Sequence, residues 1–481
     1  MAVELRDYQK DLVAKARAAL RRHKRVLVQS ATGSGKTVIA TFIAFETAAR
    51  RRKVNFICHR DELVEGTSRT FHKFGLPHGF IASGKPVTMA AMTNICGIDT
   101  LKSRLATTPE PDVAIWDECH HMGAAGWQMV MKAWPNAYHI GLSATPWRLD
   151  GTGLGDFFDE MVLGPSVSWL IEQGNLSDYK LFAPHVPDMQ GVRKQAGDYA
   201  RKDNENRMDK PKLTGDAIEH WKRHANGLRT AVFCVTIAHS KRVAEQFNAA
   251  GIRAAHLDGK TPKGERRRII QEYAAGEITV LCNVDLFGEG FDLSSIAQRD
   301  VTIDCVMLLR PTQSLSLFLQ MVGRALRPYV GKIAIILDHA GNTRRLGFPD
   351  DDHEWTLEGR QKGRGKKKPE GPPPPITCDH CFMQIRRPLP PNCPHCNKKL
   401  LADERVPEAS DEDLQEVTDA EKRRQRAMRK QEEAEARDMG ALIALGAKRG
   451  YKNPVGWAHK KFNSSGWRKR LSEKQQPEEV I

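Results

Sequence analysis

Residues 30–37, with the sequence SATGSGKT, combine small residues with a lysine and a threonine in a spacing that suits phosphate binding. They lie between an apolar run, Val26–Val28, and a helix-forming run, Val38–Ala49, which is the strand–loop–helix context of a P-loop. The glycines let backbone N–H groups face phosphates, and the helix N-terminus adds partial positive charge. We therefore expect Lys36 to reach the β- and γ-phosphates of ATP and Thr37 to ligate Mg²⁺. The predicted nucleotide-binding residues of this loop are Thr32, Gly33, Ser34, Gly35, Lys36 and Thr37.

An acidic pair, Asp117 and Glu118, follows a second apolar run, Val113–Trp116, downstream of this loop. A carboxylate at the end of such a strand can hold the same Mg²⁺, so we assign Asp117 as a magnesium ligand. Glu118, the next residue, can orient and deprotonate an attacking water. Loop and pair together predict an ATPase site.

Four cysteines form two C-x-x-C pairs that are separated by eleven residues. Cys378 pairs with Cys381, and Cys393 pairs with Cys396. Four thiolates can complete a tetrahedron around one ion and leave no open position, so we predict a structural zinc site. A redox pair would need a thioredoxin-like βαβ context, and two disulfides are a poor match to a reducing cell. So short a region would take its folding energy from the metal and would serve to contact nucleic acid or a protein partner.

Short apolar runs alternate with amphipathic stretches in two separate arrays, which end near Leu142 and Leu337. Apolar runs of this kind are typical of parallel strands buried on both faces of a sheet. Two such arrays in one chain predict two α/β domains.

Composition and charge narrow the class of protein. The chain has 481 residues, 40% of them hydrophobic, and a net charge of +15, which excludes collagen, coiled-coil and wholly disordered chains. No run approaches the roughly 18 apolar residues of a membrane helix, and Met1–Lys10 lacks the apolar stretch of a secretory signal. We therefore expect a cytoplasmic protein of a bacterium or of a phage-infected cell, with no membrane partner. The basic excess indicates a polyanionic partner such as nucleic acid.

In the first array, four segments resemble motifs of superfamily II helicases: residues 5–9, 58–63, 117–120 and 143–146. The resemblance implies that Gln9 reads the adenine edge with Arg6 near the base, and that His120 bridges the two domains near the γ-phosphate. It also implies two further sets of residues. His59 and Arg60 would contact the nucleic-acid strand, and Ser143, Ala144 and Thr145 would couple hydrolysis to movement.

In the second array, residues 288–292 and 320–327 resemble motifs five and six of the same superfamily. The match runs from about Leu5 to Leu346 and is nearest to the RadD-like bacterial and phage group, which is related to XPB-type DNA repair helicases. It implies two tandem RecA-like P-loop domains with parallel sheets. The residues assigned by it are Gly290 and Asp292 for the nucleotide, and Gln320, Arg324 and Arg327 for catalysis. The two arginines, three apart on a predicted helix, would complete the site when the domains close.

We expect six segments along the chain. They are an ATP-binding domain at 1–165, a connecting segment with a polar excursion at 166–215, a helicase C-terminal domain at 216–346, a basic Pro-rich linker at 347–376, a zinc ribbon at 377–403 and a charged helical tail at 404–481. Aromatic residues interleaved with lysine and arginine in the tail fit either nucleic-acid stacking or the core of a small helical hairpin.

These features predict an ATP-dependent DNA helicase or translocase that acts in DNA repair, recombination or replication. The expected cofactors are ATP, Mg²⁺ and a structural Zn²⁺. The expected partners are single-stranded, duplex or forked DNA, together with a single-strand-binding or repair protein contacted through the ribbon or tail. Two alternatives remain open: an RNA helicase, and a DNA-binding recruitment factor that uses ATP as a switch.

Overall fold

The structure is a computed structural model, and the chain divides into one compact unit over Met1–Ala402 and another over Asp403–Ile481. The described residues are 4–148, 150–183, 189, 191–195, 198–209, 211–287, 293–359, 375–400, 427–429, 431–433, 435–436 and 438–462. The predictions for Gly290 and Asp292, and residues 360–374 of the predicted Pro-rich linker, lie outside these residues. Within them, every helix is too short or too polar to cross a lipid bilayer.

The first domain contains a seven-stranded sheet in which all paired strands are parallel. Its strands are β1 (Arg25–Gln29), β2 (Val54–Cys58), β3 (Gly79–Ile81), β4 (Thr93–Gly97), β5 (Val113–Asp117), β6 (Tyr138–Ser143) and β7 (Glu160–Leu163), in the order β3-β4-β2-β5-β6-β1-β7. The helices are α1 (Asp7–Leu20), α2 (Lys36–Ala49), α3 (Asp61–Lys73), α4 (Ile98–Ser103), α5 (Ala125–Ala133) and α6 (Val167–Glu172).

The strands of this sheet are apolar at successive positions because both faces are covered. Phe56 belongs to one hydrophobic cluster and the next residue, Ile57, belongs to another. Val28 and Leu27 divide in the same way. Since side chains alternate across a strand, the two clusters lie on opposite faces of the sheet.

The second domain contains a six-stranded parallel sheet. Its strands are β8 (Asp178–Phe182), β11 (Thr230–Phe233), β12 (Ala254–Leu257), β13 (Val280–Asn283), β14 (Cys305–Leu308) and β15 (Ile333–Asp338), in the order β12-β13-β11-β14-β15-β8. Between β8 and β11 lie a short antiparallel pair, β9 (Lys194–Gln195) and β10 (Asp198–Tyr199), and two helices, α7 (Arg201–Met208) and α8 (Pro211–His224). The remaining helices are α9 (Ile237–Ala249), α10 (Lys263–Ala275), α11 (Leu293–Ala297), α12 (Leu315–Gly323) and α13 (Asn342–Leu346).

Segment 166–215, expected only to connect the domains, supplies a strand of the second sheet. Strand β8 pairs in parallel with β15 and forms the sheet edge. The sequence pattern did not predict β8 for two reasons. The strand has few apolar residues, Leu181 and Phe182 among them, and its partner β15 lies about 150 residues further along the chain. The other expected boundaries stay predictions.

Two small elements follow the motor domains. The cysteine pairs lie around an antiparallel hairpin of β16 (Ile376–Thr377) and β17 (Gln384–Ile385). In the second unit, α14 (Met439–Lys448) packs on α15 (Pro454–Phe462), and Leu442 and Ala458 are buried between them. Trp457 packs against Gly446 and the Tyr451 ring, so this tryptophan belongs to a hairpin core. The tail aromatic Trp467 lies outside the described residues.

His239 on α9 is a fully buried histidine, and its Nδ1 accepts the Val235 N–H. Burial lowers the pKa of the ring to about 4. The folded protein therefore holds a neutral imidazole where an unfolded chain would titrate near pH 6.5. The contribution of the neutral His239 ring to the free energy of unfolding is therefore fully present above pH 6.5, and it is lost as the pH falls toward 4.

We therefore expect His239→Gln to flatten the decline in stability between pH 6.5 and pH 4, by up to about 3 kcal/mol. Thermal unfolding of wild type and variant at several pH values measures the difference in slope. His72→Gln, at an exposed position on α3, is the matched control. A slope identical to wild type in His239→Gln would contradict the assignment.

Candidate nucleotide site and metal centre

The predicted P-loop lies at one edge of the first sheet, where three neighbouring strands end. Strand β1 leads into residues 30–37, its neighbour β6 ends at Ser143, and β5, on the other side of β6, ends at Asp117. The Ser30 N–H donates to the Ser143 carbonyl over 3.0 Å, and the Gln29 amide donates to the Ala144 carbonyl over 3.0 Å. Because carboxyl ends of parallel strands meet at one edge, residues far apart in the chain converge here.

The loop has the backbone that a phosphate cradle needs. Gly33 and Gly35 both have φ +87°, a left-handed conformation that side chains rarely adopt. Gly35 caps α2, whose first residue is Lys36, so the lysine and the helix N-terminus face the same space. The buried Thr32 hydroxyl makes no hydrogen bond to another described residue. These residues fit a nucleotide phosphate.

The acidic pair faces the lysine of this loop. Glu118 Oε1 lies 3.3 Å from Lys36 Nζ, and both side chains are about nine-tenths buried. Burial, followed by the adjacent Glu118 carboxylate, raises the pKa of Asp117 to about 7. A divalent cation would relieve that unfavourable charge, which is the electrostatic requirement of a Mg²⁺ site. The Glu118 backbone has φ +50°, an uncommon strained conformation that aims the side chain at Lys36.

A series of polar contacts leads from Glu118 to the second domain. His120 Nδ1 lies 3.4 Å from Glu118 Oε2 and 3.3 Å from Ser143 Oγ. The Ser143 hydroxyl donates to the Thr145 carbonyl over 3.0 Å. The Thr145 hydroxyl in turn bonds the Ser316 hydroxyl on α12. No motif in the sequence pointed to Ser316, since its role depends on this contact between domains.

Residues of the second domain line the same cleft. A Cβ at Gly323 would lie 2.5 Å from Thr32 Cγ2, so this glycine lets the end of α12 approach the P-loop closely. Arg324 and Arg327 border the cleft that also contains Lys36 and Asp117. The arginines were expected on one helix face, but α12 ends at Gly323. They lie in the turn that precedes Pro328, because a proline disfavours helix in the residues before it. Gln320, also predicted as catalytic, is buried on α12.

Arg6 and Gln9 lie beside the loop and line the same cleft, and their contacts with adenine stay a prediction. The Gln9 amide donates to the Ser34 carbonyl over 3.0 Å and accepts the Arg6 N–H over 3.0 Å. The Tyr8 hydroxyl donates to the same Ser34 carbonyl over 2.6 Å. Arg6 bonds the Asn175 side chain. Gln9 and Tyr8 therefore brace the P-loop; Tyr8 is a contact that the motif contained but sequence analysis missed.

His59 and Arg60, predicted to contact nucleic acid, lie between the domains. The His59 ring packs 4.3 Å from that of His121, and Arg60 Nε donates to His59 Nε2 over 3.2 Å. Arg60 Nη1 also donates to the Asp285 carbonyl of the second domain over 3.0 Å. Their strand contacts stay a prediction.

The four paired cysteines converge as predicted and form a candidate metal centre. Their sulfur atoms all lie within 4.8 Å of one another. Cys378 Sγ is 3.7 Å from Cys396 Sγ, and Cys381 Sγ is 3.6 Å from Cys393 Sγ. A tetrahedral site with metal–sulfur bonds of about 2.3 Å requires sulfur separations of about 3.8 Å. All four are free thiols, so the disulfide alternative is wrong.

The environment of Cys378 favours the thiolate, whereas burial raises the pKa of Cys381 and of Cys393. Burial raises the pKa of Cys378, but backbone N–H groups of Cys381 and His380 outweigh it and lower the pKa to about 7. A thiol that ionises near neutral pH readily releases its proton when a metal binds.

We expect the purified protein to carry one metal ion per chain at this centre and Cys381→Ser to lose it, because three thiolates hold a tetrahedral ion weakly. Elemental analysis by mass spectrometry measures the ratio. Cys282→Ala, in a strand of the second sheet, should keep the ion. A full metal complement in Cys381→Ser would contradict the site.

Comparison with known families matches both domains. Residues 2–148 match the family described as "Type III restriction enzyme, res subunit", and residues 209–329 match "Helicase conserved C-terminal domain". Among solved structures, the DNA-bound ATP-dependent Type ISP restriction-modification enzyme LlaBIII shares the fold, with a TM-score of 0.53 and 18% identity. That likeness covers 70% of this chain and 28% of the enzyme.

Relatives with similar sequences come from a virus and from yeasts. A 51.5 kDa protein of a Lactococcus phage is 34% identical, over 71% of this chain and 72% of the phage protein. Proteins named as ATP-dependent helicases, irc3 of Schizosaccharomyces pombe and IRC3 of Saccharomyces cerevisiae, are 30% and 29% identical. Each match covers 73% of this chain, which spans 59% and 55% of the two yeast proteins. With two parallel-sheet domains, a P-loop and both domain matches, the chain belongs to the superfamily II helicases, a family of nucleic-acid-dependent ATPases.

Proposed function

We propose that the protein hydrolyses ATP with Mg²⁺ to move along DNA, in repair, recombination or replication. The observation that carries this proposal is the divided cleft, in which Lys36 and Glu118 of the first domain face Arg324 and Arg327 of the second. A site completed by two domains links hydrolysis to their relative motion.

The first domain would bind the nucleotide and prepare the water. The backbone of residues 33–35 and Lys36 would hold the phosphates, while Thr37 and Asp117 would hold Mg²⁺, which neutralises charge on the transferred phosphoryl group. Glu118 would orient the attacking water and accept its proton. Its contact with Lys36 then needs to open as the phosphates draw the lysine away.

The second domain would supply the remaining positive charge. Arg324 and Arg327 would stabilise the charge that develops on the phosphoryl group, for which an arginine from another domain typically contributes about 10³–10⁵ in rate. The glycine at position 323 supports this role, since it brings the end of α12 against the P-loop.

Several observations support DNA as the track. The chain has a net charge of +15, which suits a phosphate backbone, and a phage protein is among its relatives. The restriction enzyme with the same fold was solved bound to DNA. We further propose zinc at the cysteine centre, because its sulfur separations match a Zn²⁺ thiolate tetrahedron.

Lys36→Ala should abolish ATP hydrolysis, with a loss of at least about 10³-fold, while leaving DNA affinity nearly unchanged. Steady-state phosphate release with single-stranded DNA, duplex DNA, forked DNA and RNA also identifies the track. Lys73→Ala, at an exposed position ending α3, is the control. Activity in Lys36→Ala would refute the site, and stimulation by RNA alone would refute a DNA track.

Ser316→Ala should uncouple hydrolysis from movement, because it removes the hydroxyl that joins Thr145 to α12. We expect DNA-stimulated ATPase to fall by less than about threefold, since the phosphate contacts remain, while displacement of a third DNA strand per ATP falls about tenfold. Ser103→Ala, at an exposed position ending α4, is the control. An unchanged ratio of displacement to hydrolysis would show that Ser316 has no coupling role.

A further inference from the structure

Residues 347–359, here called the strap, leave the second domain after α13 and return to the first domain. The Trp147 indole donates to the Thr356 carbonyl over 3.0 Å, and its ring packs edge-on against Trp355 at 4.6 Å. The Gly155 N–H donates to the Leu357 carbonyl over 2.8 Å. The strap therefore holds the described residues of segment 147–155, which begins two residues after Thr145 of the Ser143-Ala144-Thr145 segment beside the nucleotide cleft.

Two glycines make this contact unusually close. A Cβ at Gly153 would lie 1.9 Å from the Leu357 carbonyl oxygen, and a Cβ at Gly359 would lie 2.3 Å from the Gly153 nitrogen. Gly359 also has φ +90°, and Thr152 pairs with it in an antiparallel bridge. The two backbones meet with no room for a side chain, so the loop is fixed against the strap.

The other end of the strap is held by the metal module, defined as residues 375–400. Arg386 of the module forms ion pairs with Asp350 and Asp351. Its guanidinium also lies 4.0 Å above the Phe348 ring. Asp350 accepts a further hydrogen bond from the Tyr179 hydroxyl on β8. Arg386 thus contacts three residues at the start of the strap and holds that start against the edge of the second sheet.

The module itself is docked on that sheet edge. The Ala183 N–H donates to the Phe382 carbonyl over 3.0 Å, and the Gln384 amide donates to the Ala183 carbonyl over 3.3 Å. The His395 ring packs edge-on against Phe182 at 5.0 Å. Phe382 directly follows Cys381, and His395 lies within the second cysteine pair. A metal held by the four cysteines would therefore order the surface that docks.

We propose that Arg386 is a positioning residue of the motor, and that the metal module acts through it and the strap to hold residues 147–155 for ATP hydrolysis. This inference rests on the proposed function. It gives the metal centre an internal role, where the sequence suggested contact with nucleic acid or a partner. Because the strap joins both domains, closure of the cleft must act on it, and a loose strap weakens the productive arrangement.

Arg386→Ala tests this role against Arg387→Ala, which removes the same charge from the adjacent exposed position. We expect Arg386→Ala to lower the DNA-stimulated kcat about tenfold, with KM for ATP, DNA affinity and metal content within about twofold of wild type, because positioning affects the reacting geometry more than binding. Trp355→Leu, at the other end of the strap, should show the same pattern. The double variant should be no worse than the poorer single variant, since both break one connection.

Hydrogen exchange provides a readout independent of turnover. Removing the metal with a chelator should speed amide exchange in residues 147–155 and 347–359, with the P-loop unchanged. The inference is overturned if Arg386→Ala matches Arg387→Ala in kcat, if the two strap variants multiply in effect, or if chelation leaves residues 147–155 protected. An inactive wild type would instead refute the proposed function, so the two failures are distinguishable.

Discussion

In the proposed mechanism, residues of two separate domains must balance the phosphate charge, and much of the structure of this molecule is consistent with that constraint. The first sheet supplies Lys36 and the carboxylates, while the arginines arrive on the turn after α12. The two parts meet because Gly323 has no side chain to collide with Thr32. A site divided in this way has full charge complementarity only when the domains approach, so nucleotide binding and domain position become one equilibrium.

The sheet brings the residues of the candidate nucleotide site together, and local backbone strain at Glu118 sets the direction of its side chain. Neighbouring strands β1, β5 and β6 end side by side, which places the P-loop, the acidic pair and Ser143 within hydrogen-bonding reach. At Glu118 the backbone then takes a left-handed conformation at a typical cost of about 1–3 kcal/mol. The surrounding burial holds that conformation, which directs the carboxylate at Lys36 and His120 rather than along the strand.

Local patterns predicted which residues come together at the end of the first sheet and in the cysteine cluster, whereas contacts distant in sequence were missed. The geometry of the P-loop glycines, of the acidic pair and of the cysteine pairs depends on a few neighbouring residues, and the structure brings these residues together. Their catalytic and metal-binding roles stay predictions. Strand β8, the hydroxyl of Ser316 and the bracing orientation of Gln9 depend on partners elsewhere in the fold. Helix α12 likewise ended early because of Pro328, which periodicity alone did not weigh.

The contacts that stabilise the small metal module also determine where it lies relative to the strap. A segment this short buries little apolar surface, so a bound metal and a neighbouring element would each add to its stability. Edge strand β8 provides the neighbour, and covering its end protects backbone groups that would otherwise invite pairing with other chains. Once docked there, Arg386 lies beside the acidic start of the strap, and the same contacts that stabilise the module also fix the path of the chain back to the first domain. Under the proposed role of Arg386, structural and mechanical roles are not alternatives for this candidate metal centre: the docking that stabilises the module also places it in the connection between the two motor domains.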